Sequence, residues 1–336
     1  MEMSPNNSSL ERFRELLLNF LWRQWSALGV AGQARTGDPW CVDPEALLLF
    51  TSIQARFDPR LFDEMLDWLW NNAHWLNVQR LRNLQKIVAL GHPRIVAAIA
   101  GWLAQRATLS KWRPLAQDDK QGVVEPLFLR TDFQPLPVFG DEDEIFHRFR
   151  WRRGAIKRRE LGQPPNPHEA AALLCKLRAL FGVQARCEVL LWLLAHESGN
   201  PAEIARATAY FPKTVENTLN EMSGSGLIRS ARHGREKHYW VQHDEWRFLR
   251  SWTSPDGFPQ WIDWARLFSA IEQIMFQLAR TDLSPLLLSS ELRRVMDELQ
   301  PVLADGRLLP HFAASSVHTG ARYADILIED FNRLLG

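Results

Sequence analysis

Lys213, Asn217 and Asn220 follow one another at steps of four and three, so a helix that carries them sets all three, with Thr214, along one side. An ammonium, a hydroxyl and two carboxamides on one stripe are groups that bind phosphate oxygens and pair with base edges. An asparagine amide can donate to and accept from adenine at once. A second set lies just downstream. Arg229, Arg232, Arg235 and Lys237, with His233 among them, crowd a segment whose only acid is Glu236. Such a set can neutralise the phosphates beside a groove. A third set is upstream: Arg148, Arg150, Arg152, Arg153, Lys157, Arg158 and Arg159 put seven basic residues in twelve positions, interleaved with Phe149 and Trp151. Two expectations compete for it. Either Arg152, Arg153 and Arg158 track a nucleic-acid backbone beside the first two sets, or the block is a solvated linker folded against the acidic run Asp141–Glu144.

Other residue types that could do chemistry are weakly placed. Asp63 and Asp67 lie four apart, near Asp58 and Glu64, but with Arg60 and His74 close by they read as a solvated helix face and not as a metal or acid–base site. His233, His238 and His243 have no thiolate or carboxylate positioned to complete a coordination shell. The three cysteines, Cys41, Cys175 and Cys187, make no disulfide framework; Cys175 and Cys187 sit in apolar helical patterns, which fits buried packing in a reducing cytosol. There is no nucleophile elbow or glycine-rich phosphate loop in the first 110 residues, and no catalytic constellation elsewhere. The expectation is a cytoplasmic non-enzyme with no cofactor and no metal. Apolar runs stop well short of a membrane span.

The elements that must position the first two sets can be read locally. Val189–Leu194 is an apolar helical run, broken at Ser198–Pro201. Asn200, Pro201 and Glu203 then make a helix start: a capping amide, proline at the first position and an acid three residues after the cap. After a turn at 209–211, Pro212–Ser223 is helical, with Val215, Leu219 and Met222 on the side opposite the polar stripe. Gly224–Gly226 stops it. Two β-like pieces, Leu227–Ser230 and His238–Val241, flank a polar turn with Gly234 at its tip. Helix, turn, helix, hairpin is the order of a winged helix-turn-helix.

Glu203-Ile204-Ala205, Lys213-Thr214-Val215-Glu216-Asn217-Thr218-Leu219 and Gly226-Leu227-Ile228 carry a resemblance. This segment, roughly a fifth of the chain, resembles the winged-helix domains of bacterial ArsR- and MarR-type regulators. The resemblance implies that Pro212–Ser223 is a recognition helix for double-stranded DNA and that the helix before the unit serves a homodimer. Three features depart from the pattern: Phe211 stands where a Ser or Thr cap is usual, Glu216 and Glu221 put negative charge near a face meant for DNA, and the cysteine metal box of many ArsR proteins is absent from the segment before the recognition helix.

At 336 residues the chain exceeds one such domain. Helical patterns fill residues 1–110, with start signals at Asp43-Pro44 and Asp58-Pro59. Residues 111–165 are irregular, with possible extended pieces at Leu127–Leu129 and Val138–Phe139. Residues 166–250 hold the winged unit, preceded by a helix that Asn166-Pro167 should cap. Residues 251–336 are helical again, with a turn at Ser254–Gly257 and a looser stretch from Pro301. The fold expected is mostly α, with a central winged helix-turn-helix. The function expected is a dimeric, sequence-specific DNA-binding repressor. The alternative is a protein-interaction module, or an antitoxin-like regulator that sequesters a partner protein.

Overall fold

Proline following an aspartate, asparagine or serine starts helix after helix in this chain, and the preceding side chain accepts from an otherwise orphaned backbone N–H. Asp43 caps one through Ala46 N (3.0 Å), Asp58 another through Leu61 N (3.0 Å). The computed structural model describes residues 5–32, 38–117, 122–249 and 257–336. Helices α1 (Pro5–Ala27), α2 (Pro44–Gln54), α3 (Pro59–Asn72), α4 (Val78–Ile87) and α5 (Pro93–Leu103) come first, then a 3-10 segment, Ala107–Leu115. A short parallel pair, β1 (Glu125–Pro126) with β2 (Trp151–Arg152), brackets α6 (Glu144–Arg148). The chain continues through α7 (Leu173–Phe181), α8 (Ala185–Ala195), α9 (Pro201–Thr208), α10 (Pro212–Gly224) and the antiparallel hairpin β3 (Arg229–His233) and β4 (Glu236–Trp240). It ends in α11 (Trp264–Ala279), α12 (Pro285–Asp305), α13 (Ala313–Val317) and α14 (Tyr323–Leu335). The fold is mostly helical. No described helix is long and apolar enough to cross a membrane.

Three local expectations change. Asn166 does not cap a helix: its side chain accepts from His168 N (3.1 Å) in a tight turn, and α7 starts only at Leu173. Helix α12 runs through Pro301, because Val295, Met296, Leu299 and Leu303 keep one buried stripe and packing outweighs the lost hydrogen bond. Residues 138–139 are in no strand; the strand pairing falls at Glu125–Pro126 instead. Residues 1–4, 33–37 of the expected loop, 250–252 of a short helix and the Ser254–Asp256 turn lie outside the described residues.

Two apolar cores organise the molecule. The first joins both ends of the chain: Phe50 stacks on Phe268 (4.4 Å, 5°), Phe13 packs on Phe331 (5.2 Å), and Arg23 donates to the Leu335 carbonyl (2.7 Å). The apolar stripe of α11 is therefore buried within the chain itself. The second core holds α7 to α10, the hairpin, Trp246 and Trp261. All three cysteines are buried, and burial pushes the Cys175 and Cys187 thiols up to about 12.

The irregular segment wraps the first core. Asp67 is buried, and its two oxygens accept from the backbone N–H groups of Arg159, Glu160, Leu161 and Gly162 (3.0–3.4 Å). Four donors offset the cost of burying that carboxylate. Glu64 binds Arg159, and Asp63 binds Arg153 (2.7 Å). The α3 acids thus strap the linker down; Glu64 and Asp67 are not part of a solvated face. The strap passes so close that a Cβ on Gly29 would lie 2.3 Å from the Gln163 carbonyl oxygen.

Between the cores lies a buried ionic network. Glu45 accepts from Arg178 through both oxygens (2.7 and 2.8 Å) and from Arg80 (2.9 Å). Arg178 also binds Glu188, and Arg80 clasps Asp43 with two hydrogen bonds (2.6 and 2.7 Å). Burial alone would raise the Asp43 carboxyl, but the Arg80 charge and hydrogen bonds hold it below the usual carboxylate range. Burial alone would lower Arg178, yet Glu45 and Glu188 hold it well above its ordinary value. Polar side chains of the first core then grip the turn between α9 and α10: Arg80 Nε donates to Thr208 O (3.0 Å), Asn83 to Ala209 O (3.2 Å) and Asn77 to the Tyr210 hydroxyl (2.8 Å). That hydroxyl donates to Glu188 (3.2 Å). Ala209 holds a left-handed conformation (φ 58°) within this grip.

Glu45→Gln should therefore destabilise the protein by about 3–5 kcal/mol in urea unfolding, since it leaves two buried guanidiniums short of a countercharge. Glu272 predicts the opposite sign. Burial on α11, against Gly91, pushes its carboxyl up to about 8, above its ordinary value of 4.5, and its Oε1 has no partner. The folded state then binds the extra proton, so stability falls as pH rises from about 4.5 to about 8. Glu272→Gln should gain on the order of 2–4 kcal/mol over the natural chain at pH 8.5 and nothing at pH 4, measured by unfolding at both pH values.

Candidate nucleic-acid interface

The unit that carries the polar stripe is assembled from its caps inward. Asn200 accepts from Ala202 N and Glu203 N (3.0 Å each), and Glu203 returns the bond to Asn200 N (2.9 Å), so α9 starts on a full capping box. Gly199 pairs with Tyr239 through two backbone hydrogen bonds (3.0 and 2.9 Å), which joins this helix start to the hairpin. A side chain at Gly199 would strike the Trp192 ring, 2.4 Å from its Cβ. Val215, Leu219 and Met222 bury one face of α10 against Ile204 and Tyr239 in the second core. The other face is left in water.

On that face Lys213, Thr214, Asn217 and Asn220 are all exposed. No acid occupies the first turn of α10, so its N-terminal dipole favours an anion. Phe211 occupies the cap position without a side-chain hydrogen bond and is exposed. Lys213 pairs with Glu216 (3.0 Å), an exposed and weak contact.

Asn220 does more than line the stripe. Its Oδ1 accepts from Lys237 Nζ (3.0 Å) and from the Tyr239 hydroxyl (2.9 Å), so its acceptor is occupied within the protein. The bond fixes the hairpin to the helix. Lys237 also lies over the Tyr239 ring (4.8 Å), and Ser223 meets Ser230 across the same joint (2.9 Å). At the tip His233 pairs with Glu236, leaving Gly234-Arg235 as a two-residue turn with Gly234 at φ 63°. Arg232, His233 and Arg235 stand exposed there.

The remaining candidates are not at this face. Arg229 turns to Glu245 (2.6 Å) and the Gly226 carbonyl (3.3 Å). Arg153 is buried among Phe62, Phe128 and Phe146 on its Asp63 pair, so no surface ligand reaches it. Arg158 pairs with Glu160 (3.0 Å) over the Trp70 ring, and Arg152 is exposed on β2. Among the three histidines of the hairpin region, His238 faces Glu236 (3.5 Å) and His243 meets the Leu194 carbonyl (3.1 Å). No group of three or more metal-ligating side chains is present among the described residues.

No protein-family model matches the chain, no curated protein matches it in sequence, and no solved structure matches it in fold.

Asn220→Ala should cost about 1–2 kcal/mol in urea unfolding, because Lys237 and Tyr239 lose a shared acceptor. Asn217→Ala, one turn earlier and in water, should cost under about 0.5 kcal/mol.

Proposed function

We propose that the chain is a double-stranded DNA-binding regulator of transcription, a cytoplasmic, dimeric repressor built on a winged helix-turn-helix. One observation carries the reading. An exposed helix face with a lysine, a threonine and an asparagine is bolted through Asn220 to a hairpin whose tip presents Arg232, His233 and Arg235. A stripe that reads bases thus has a rigid neighbour that holds phosphates. Helix α10 enters the major groove N-terminus first. Asn217 pairs with a base edge, with adenine the best match for a carboxamide, and Lys213 and Thr214 contact bases or phosphates near the helix start. The hairpin tip lies along the adjoining backbone or minor groove. A second copy of the chain places its own α10 about 34 Å away, one DNA turn along. Asn220 and Arg229 act in this arrangement as positioning residues for the hairpin. Arg152 and Arg158 are peripheral to it.

The test is a titration of a duplex pool and of selected duplexes at several salt concentrations. Arg235→Glu should weaken binding to every sequence roughly tenfold and reduce the slope of log affinity against log salt by about 1. Asn217→Ala should leave the slope alone and relax the preference at one base pair, a change of about 1–3 kcal/mol in discrimination. Unchanged binding in both variants would remove α10 and the hairpin from the interface.

A further inference from the structure

Residues 68–117 contain no aspartate or glutamate. The chain has 39 acids in 336 residues, so at its average frequency roughly six would fall in these fifty positions. Seven arginines and lysines do fall there: Arg80, Arg82, Lys86, Arg94, Arg106, Lys111 and Arg113. With a net charge of only +1 for the whole chain, the acids are segregated elsewhere. Two of the seven cations are used internally, Arg80 in the buried network and Arg94 on Glu125. Arg106 turns to the Trp70 carbonyl and to Asn71, while Arg82, Lys86, Lys111 and Arg113 lie on α4 and the 3-10 segment Ala107–Leu115. Arg82 donates to the Pro114 carbonyl (2.7 Å), which joins α4 to the 3-10 segment, and Lys111 donates to the carbonyls of His74 and Leu76 (2.7 Å each) just before α4, so both cations are bound to neutral oxygens. Neither forms an ion pair with a described residue, though the buried Glu45 carboxylate acts on Lys111. Lys86 and Arg113 are exposed, and neither forms an ion pair with a described residue.

We infer that the face of α4 and the 3-10 segment, whose own residues include no acid, is a second phosphate-binding surface, which carries the DNA duplex beyond α10 onto the first core. The inference rests on the DNA-binding reading above and extends its footprint. Placement is the argument. Asn83 of α4 holds the Ala209 carbonyl (3.2 Å), and Lys213 follows Ala209 by four residues, at most about 14 Å of chain. Lys86 is one helical turn beyond Asn83, about 5 Å along the axis. Lys86 and Lys213 therefore fall within about 25 Å of each other. Along one DNA strand a phosphate recurs every ~3.4 Å of axis, so several lie within that span. The buried network keeps the two surfaces in fixed relation. A linear array of phosphates is the partner this face fits: among residues 68–117 it draws on several cations and no carboxylate.

The experiment uses the full chain with Lys86→Glu and Arg113→Glu together, titrated by fluorescence anisotropy with a 30-base-pair duplex pool at several salt concentrations. Both side chains are in water, so the fold should survive; Lys86→Gln with Arg113→Gln, a milder pair, guards against a long-range effect of reversal. Reversal should weaken binding roughly tenfold or more and lower the salt slope by about 2, with base preference unchanged; the glutamine pair should give a smaller loss and the same fall in slope. A preserved slope in both variants, with the natural chain binding DNA and Arg235→Glu impaired, overturns this inference and leaves the α10 reading standing. Failure of the natural chain to bind any duplex overturns both.

Discussion

Glu45 is fully buried between two guanidiniums, and the relation of the molecule's two halves depends on it. A carboxylate in that position is stable only while Arg178 and Arg80 stay within hydrogen-bond distance, and each arginine needs its other acid, Glu188 or Asp43, to complete its own compensation. Asp43 and Glu45 belong to the start of α2, Arg80 to α4, Arg178 to α7 and Glu188 to α8. A shift of one half against the other by even an ångström or two would strand buried charge. Such networks contribute little net stability compared with apolar packing, but they tolerate few alternative geometries. Here the network has the character of a registration device between two separately closed apolar cores.

The consequence reaches the surface through short steps. Arg80 is both a member of the network and a donor to Thr208, and Tyr210 links Asn77 to Glu188 across the turn that launches α10. The start of α10 is thereby set against α4. At its other end, Asn220 ties α10 to the hairpin. Helix α4 is thus tied to the turn before α10, and α10 to the hairpin. On the proposed reading this is what a duplex meets. Preorganisation of that kind spares the ordering cost that a loose hairpin or hinged unit would bear on binding.

Much of this was legible locally. Caps and periodicity act over four or five residues, so Asp43, Asp58 and the Asn200–Glu203 box could be read from spacing alone, as could the buried face of Val215, Leu219 and Met222. What failed was long-range. Asn166 has the same local signature as Asn200, but its side chain closes a turn on His168, and a 3-10 turn at Ala170–Ala172 intervenes before α7. Asp63, Glu64 and Asp67 look like a solvated face because nothing in their own helix reveals that residues 153–162 return to cover them. Arg153 sits in a basic run yet is buried, for the same reason. Asn220 reads from spacing as part of the exposed polar stripe, but its bonds to Lys237 and Tyr239 span 17 and 19 positions and follow no pattern in the chain. One global signal is visible by counting: the absence of any acid over residues 68–117, a segment that the fold sets against the turn before α10.

Hydrogen exchange of the backbone amides, with and without a saturating duplex, tests this arrangement most directly. Slowed exchange is expected in three places at once: the first turns of α10, the tip of the β3–β4 hairpin, and the segment from α4 to residue 115. Protection confined to other elements, or none with DNA bound, would contradict a nucleic-acid face built on α10 and held in place by the Glu45 network.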